Sequence, residues 1–429
     1  MSAPEFAVDI FQNEYLQAGA REVNAIVSVT SVDSVVVAQP TAPGAAEIII
    51  VDCSGSMHGT KIEQARAATC AAIDALRDGV AFAIIKGTGH ASLVFPGRGS
   101  LAIANSQTRG SAKRAVGRMT ASGNTAIGRW LRLARELFQA RADELRHVIL
   151  LTDGGNAQLP GRLDAEIARC EGVFRCDCRG VGTDWKVEEL RKISTALLGT
   201  VDIVPDPAGL AADFESMMQA SMAKQVADVA LQVWTPQHTT IRFVKQVAPT
   251  VEDLTARRAQ LTPQQGGYPT GAWGARESRD YHVCVQVRPG VVGGPEMLAA
   301  RISLVASTPD GPQTLGKGLI KAVWTDDDAQ SAKISRQVAH YTGQAELDEA
   351  IQDGLAARRR GDDATAQIRL GRAVALAYES GNTGAADLLA SVVDVVDSAT
   401  GVVRLKDKVS DADEMALDTR SSKTVRIRK

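Results

Sequence analysis

The stretch Ile48-Ile-Ile-Val-Asp52-Cys-Ser54-Gly-Ser56-Met-His-Gly-Thr60 constrains this chain more than any other. Its consecutive branched apolar residues do not alternate with polar ones, so the strand they predict is covered on both faces. That strand runs into Asp52, Ser54 and Ser56, and a helical pattern starts near residue 60. Oxygen-bearing side chains at alternate positions beyond a strand end can converge on one point in a single turn. In an open α/β sheet that point is the crevice outside the carboxyl ends of the strands, where ligands bind.

The surrounding pattern supplies such a sheet. Strand patterns at Glu47–Asp52, Val80–Lys86, Ser92–Phe95, His147–Thr152, Phe174–Val181 and Val201–Val204 alternate with helical patterns at 60–78, 110–119, 125–142, 161–171, 185–198 and 207–222. Such alternation predicts a doubly wound, Rossmann-like α/β domain over residues 46–223. Helical periodicity then vanishes. From 226 to 325, strand patterns separated by Pro/Gly-rich turns predict an antiparallel β-sandwich. The apolar runs at 20–31 and 34–38 have no sheet of their own. Residues 1–40 are therefore expected to join the sandwich, with the α/β domain inserted into it after the linker Pro40–Gly44. Residues 329–402 predict a helical region, with helices at 329–341, 345–360, 363–379 and 384–397. The polar stretch 407–429 carries too little apolar surface to build a core and is expected to be a disordered tail.

A length of 429 residues calls for several domains rather than one core. A net charge of -2 and 4% aromatic residues argue against nucleic acid as partner. The N-terminus shows no signal-peptide pattern, and no apolar run is long enough to span a membrane. Six scattered cysteines in such a chain suggest reduced thiols, hence a cytoplasmic location.

Two further connections can complete the site. His147-Val-Ile-Leu-Leu-Thr-Asp153-Gly-Gly is a second buried strand ending in a carboxylate, and Ser122-Gly-Asn-Thr125 opens a helix with a hydroxyl. An all-oxygen donor set suits a hard cation such as Mg2+, which takes about six ligands and keeps several waters. Asp52-Cys-Ser54-Gly-Ser56, Thr125 and Thr152-Asp153-Gly154 resemble the metal-ion-dependent adhesion site of von Willebrand factor A (VWA) domains. The resemblance covers residues 46–223 and implies Mg2+ or Mn2+ as cofactor. It makes Asp52, Ser54, Ser56, Thr125 and Asp153 the metal residues, the hydroxyls binding directly or through water and the aspartates largely through water. A partner's acidic side chain would complete the shell.

The layout also resembles bacterial cytosolic VWA proteins that work with Ser/Thr kinases, phosphatases and FHA-domain proteins. In the expected tail, acidic residues precede Thr419 and basic ones follow it, which makes Thr419 and Thr424 candidate phosphorylation sites through which an FHA-domain protein or a kinase would engage the chain. No general base or nucleophile accompanies the site at recognisable spacing, and His58 reads as a rim residue. The expected function is therefore a non-enzymatic interaction scaffold. The alternative is an adaptor subunit of a AAA+ ATPase or chelatase-type machine.

Three weaker signals point to structure. Gly311-Pro-Gln-Thr-Leu-Gly316-Lys317-Gly318 approaches a phosphate-binding loop but has Gly318 where a hydroxyl is needed and precedes a strand, so it reads as a hairpin turn. Cys170, Cys176 and Cys178 read as buried small side chains rather than zinc ligands. Arg358-Arg359-Arg360 reads as a solvated helix end.

Overall fold

The computed structural model describes residues 5–32, 44–97, 99–142, 144–308, 311–333 and 335–426. The chain divides into two compact units, Thr41–Ala227 and the pair of segments Met1–Pro40 with Asp228–Lys429. The flanking unit opens with β1 (Glu5–Gln12), β2 (Tyr15–Gln17) and β3 (Glu22–Val32). The strand expected at 34–38 lies outside the described residues, as does the linker apart from Gly44.

The Thr41–Ala227 unit runs β4 (Ala45–Asp52), α1 (Thr60–Ala75), β5 (Ala81–Gly87), β6 (Ala91–Phe95), β7 (Ala102–Ile103), α2 (Ser106–Val116), α3 (Ile127–Phe138), β8 (Leu145–Thr152), α4 (Arg162–Cys170), β9 (Arg175–Val181), α5 (Val187–Ala196), β10 (Val201–Val204) and α6 (Leu210–Met222). Its sheet has the order β10-β9-β8-β4-β5-β6, with β7 also on β5. The strands from β10 to β5 are parallel; β6 and β7 are antiparallel to β5. Ile48 to Val51 on central β4 are buried, as the unbroken apolar run requires. One packed cluster joins Ile49 and Val51 on β4 to Ile62 on α1 and Phe214 on α6. Register decides where the site can form. Asp52 pairs with Gly87, Val51 with Leu151 and Thr152 with Gly180, so the ends of β4, β5, β8 and β9 lie at one level.

The opposite end of this sheet holds a buried ionic cluster. The His147 ring nitrogens lie 2.8 Å from Glu47 Oε2 and 2.9 Å from Asp177 Oδ2. Ser221 Oγ on α6 donates to Glu47 Oε1 at 2.6 Å. Burial by itself would push the imidazole down, but the flanking carboxylates override it and raise its pKa to about 9.

The flanking unit continues with β11 (Lys224–Trp234), β12 (Thr240–Ala248), β13 (Glu252–Asp253), β14 (Ala259–Thr262), β15 (Gln265–Gly274), β16 (Ser278–Gln286), β17 (Met297–Thr308) and β18 (Gly311–Thr325). They form sheets of order β1-β3-β16-β12-β13 and β14-β15-β11-β17-β18-β2. β3 pairs antiparallel with β16 from Glu22↔Gln286 to Thr30↔Ser278. Phe6 on β1 meets Trp273 on β15 edge-to-face, ring centroids 5.5 Å apart.

The segment 311–318 is no turn; it is the first half of β18. A Cβ on Gly316 would stand 2.5 Å from Val8 Cγ2, and one on Gly318 2.7 Å from Ile10 Cδ1. These glycines let β1 approach β18 closely, a role that composition alone does not distinguish from turn formation.

The helical region departs from expectation in two places. It contains α7 (Asp328–Ser331), α8 (Arg336–Arg359), α9 (Asp363–Ser380), α10 (Thr383–Val392), β19 (Val393–Asp397), β20 (Val402–Leu405) and α11 (Asp411–Arg420). The helix expected to reach 397 ends at Val392, because Val393–Asp397 turns into a hairpin with Val402–Leu405. Residues 407–426 are also not a disordered tail. Ser410 caps α11 by accepting from Asp413 N, and Leu417 is fully buried in one cluster with Leu355, Leu370 and Leu389. Asp418 accepts from Arg359 at 2.6 Å. A short apolar patch and the Arg359 pairs with Glu414 and Asp418 hold this helix, too small a signal to stand out in a polar segment.

The two candidate phosphoacceptors therefore do not stand in a tail: Thr419 is buried and Thr424 half-buried. Thr419 is 3% exposed, and its hydroxyl donates to Met415 O at 2.8 Å. Thr424 Oγ1 donates to Val247 O at 2.7 Å. Among the described residues, no helix is long and apolar enough to cross a membrane.

Two outcomes follow. The His147 cluster stabilises the fold fully below the ordinary histidine pKa of 6.5, and loses that stabilisation as pH rises through about 9. The wild-type melting temperature should fall over that window by the equivalent of about 3 kcal/mol, with a flatter profile for His147→Gln. Thr419→Glu should lower stability by about 2–4 kcal/mol in urea unfolding, because it buries a carboxylate where a hydroxyl was satisfied.

Candidate metal centre

Three loops build the site at the carboxyl end of the sheet. The first leaves β4 and makes one 3-10 turn, Gly55–Met57, before α1. Asp52 is fully buried and both its oxygens accept hydrogen bonds: Oδ1 from Ser54 N at 2.7 Å and Oδ2 from Thr152 Oγ1 at 2.6 Å. Burial pushes this carboxyl up, and the bonds from Thr152 and Ser54 oppose the shift. Ser54 Oγ lies 3.0 Å from Ser56 Oγ, and Ser56 Oγ donates to Asp153 Oδ1 at 2.7 Å.

The second loop carries Thr125. Its backbone is tied to the first, with Ser122 N donating to Cys53 O at 2.7 Å and Gly55 N to Gly123 O at 2.8 Å. Trp130 Nε1 and Ala126 N both donate to Thr88 O, which anchors the start of α3 to the end of β5. The third loop leaves β8 through Asp153. A Cβ on Gly154 would lie 3.5 Å from Ser56 Oγ and 3.6 Å from Thr125 Oγ1, so the two hydroxyls border one space beside this glycine. The five residues singled out in sequence therefore come together.

Sequence reading missed the residues that lock these loops. Asn156 Oδ1 accepts from Ile127 N at 3.1 Å and Gln158 Oε1 from Gly128 N at 2.7 Å, so the Asp153 loop caps the helix that follows Thr125. Neither residue sits in a recognisable pattern. Lys61 was also missed. Its Nζ lies 2.7 Å from Asp153 Oδ2 and 3.3 Å from Asp184 Oδ2. Burial works against its charge, and the Asp153 carboxylate outweighs burial, so its pKa is raised. Its position in the first turn after Ser56 was the available clue.

Cys53, between two site residues, is fully buried with its thiol pushed up to about 12 by burial, and so behaves as a small apolar side chain. His58 is exposed beside the 3-10 turn. Cys176 and Cys178 are buried, their sulfurs 3.9 Å apart.

The donor set decides which group fits. Among the described residues, no three His, Cys, Asp or Glu side chains cluster as metal ligands. Here the donors are two carboxylates and three hydroxyls, all hard oxygens, which fit Mg2+ or Mn2+ rather than a soft metal. All four carboxylate oxygens already accept protein donors, through Ser54, Thr152, Ser56 and Lys61. Ser54, Ser56 and Thr125 could hold such a cation together with Asp52 and Asp153.

Thr152 fixes Asp52 from a fully buried position. Thr152→Val should lower urea-unfolding stability by about 1–3 kcal/mol, because it leaves a buried carboxylate oxygen unpaired. An unchanged transition would show that Asp52 does not depend on that bond.

Comparison with known proteins agrees with this architecture. Residues 46–203 match the von Willebrand factor type A domain model, and residues 375–421 match the von Willebrand factor type A C-terminal domain model. The second match ends inside the segment expected from sequence to be a tail. A solved structure, von Willebrand factor type A from Catenulispora acidiphila, is 50% identical, with TM-score 0.93 over 99% of this chain and 98% of that one. The ArnB paralog VWA2 from Sulfolobus acidocaldarius shares the fold alone, at 12% identity and TM-score 0.60, over 97% of this chain and 99% of that one. The uncharacterized protein sll0103 of Synechocystis is 26% identical over 217 residues, which is 49% of this chain and 50% of that protein's length.

Proposed function

The chain belongs to the von Willebrand factor type A family, and we propose that it is a non-enzymatic scaffold that binds a partner protein through a divalent cation. Domains of this family commonly mediate protein–protein interaction. In this reading Ser54, Ser56 and Thr125 hold Mg2+ or Mn2+, with Asp52 and Asp153 as outer carboxylates, and an acidic side chain of the partner completes the shell. Bound there, the cation supplies positive charge at the mouth of the crevice. The placing of the Ser56 and Thr125 hydroxyls around one space beside two buried carboxylates supports the reading most strongly. A cation that touches mainly neutral hydroxyls keeps its charge for an incoming carboxylate. The two-sheet unit, built from segments on either side of the binding unit, serves as the frame.

Pull-down with the full chain tests this reading. A partner retained in Mg2+ should be released by EDTA and should fail to bind Asp52→Asn and Thr125→Ala. The affinity loss should exceed tenfold, about 1.4 kcal/mol. Retention unchanged by chelation and by both substitutions would contradict cation-mediated binding.

A further inference from the structure

We propose that Lys61 sets the affinity and partner specificity of the metal centre by drawing off part of the charge of Asp153. The inference rests on the metal-site reading above and adds a residue that the donor set does not include. Lys61 stands in the first turn of α1, its side chain 25% exposed, and reaches Asp153 at 2.7 Å and Asp184 at 3.3 Å. Asp153 is fully buried, so its contact with the ammonium is poorly screened, whereas Asp184 is 72% exposed and its pull on Lys61 is weak. The Asp153 carboxylate is thus shared: Oδ1 accepts from the ligand Ser56, and Oδ2 is held by Lys61.

Charge balance gives the consequence. Asp52 and Asp153 carry two negative charges, and Lys61 returns one positive charge. A divalent cation in this centre is therefore under-neutralised. It is held weakly alone and more firmly when an anion approaches from outside. Lys61 repels the cation and attracts that anion, so it favours a carboxylate-bearing partner twice over. The same residue makes loading and partner capture mutually reinforcing, since each lowers the electrostatic cost of the other.

Calorimetric titration of the full chain with Mg2+ alone, then with Mg2+ in the presence of acetate as carboxylate probe, tests this. Lys61→Met and Lys61→Gln should bind Mg2+ about tenfold more tightly than wild type, from removal of one poorly screened charge. Acetate should tighten Mg2+ binding in wild type and in Lys61→Arg, and do so less in the neutral variants. A gain of affinity is not something a damaged fold would produce, and two neutral variants guard against misfolding of one. Mg2+ affinity equal to or below wild type in both neutral variants would overturn the role of Lys61. Asp52→Asn separates the two layers: if it binds Mg2+ as wild type does, the metal-site reading itself fails, whatever the Lys61 variants do.

Discussion

A buried carboxylate with both oxygens satisfied is the constraint on which this site depends. Asp52 ends the central strand with no solvent around it, held by the Ser54 amide and the Thr152 hydroxyl. An ionised group in that position is costly unless its lone pairs are occupied. The first bond bends the chain into the 3-10 turn that presents Ser54 and Ser56; the second ties β4 to its neighbour β8. Turn geometry, strand register and site charge thus come from one residue. The loops around it are joined chiefly through backbone groups and amide side chains, such as Gly55 to Gly123 and Asn156 to Ile127. This arrangement gathers the Ser54, Ser56 and Thr125 hydroxyls beside the two carboxylates.

The sheet carries polarity at both ends. At one end are the hydroxyls and shared carboxylates; at the other, His147 stands between Glu47 and Asp177. The two clusters differ in purpose. The His147 cluster is closed, with its partners inside the domain, and contributes stability. The Asp52 cluster sits among the loops at the strand ends, with Ser54 and Thr125 buried and Ser56 exposed.

The sequence was most informative where one physical cause dominates. Ile48–Val51 is unbroken and branched because its strand is covered on both faces, and the Asp52 and Asp153 loops meet because neighbouring parallel strands end at one level, with the Thr125 loop joined to the Asp52 loop by backbone bonds. It was least informative where packing overrides composition. Gly316 and Gly318 have the look of a turn, yet sit within a strand that lies against Val8 and Ile10. The segment around Leu417 is polar on balance, yet docks through a few buried side chains and the Arg359–Asp418 pair. Lys61 was visible as a residue but not as a participant, because only the fold brings its ammonium to Asp153.

The central claim is that Ser54, Ser56 and Thr125 hold a hard divalent cation. Anomalous diffraction from crystals of the full chain grown with Mn2+ tests it most directly. The account predicts a single strong peak about 2.1–2.3 Å from those hydroxyl oxygens, within the usual range for small hard cations, with Asp52 and Asp153 beyond direct contact. A peak ligated elsewhere, or no peak at this site with the side chains ordered, would contradict it.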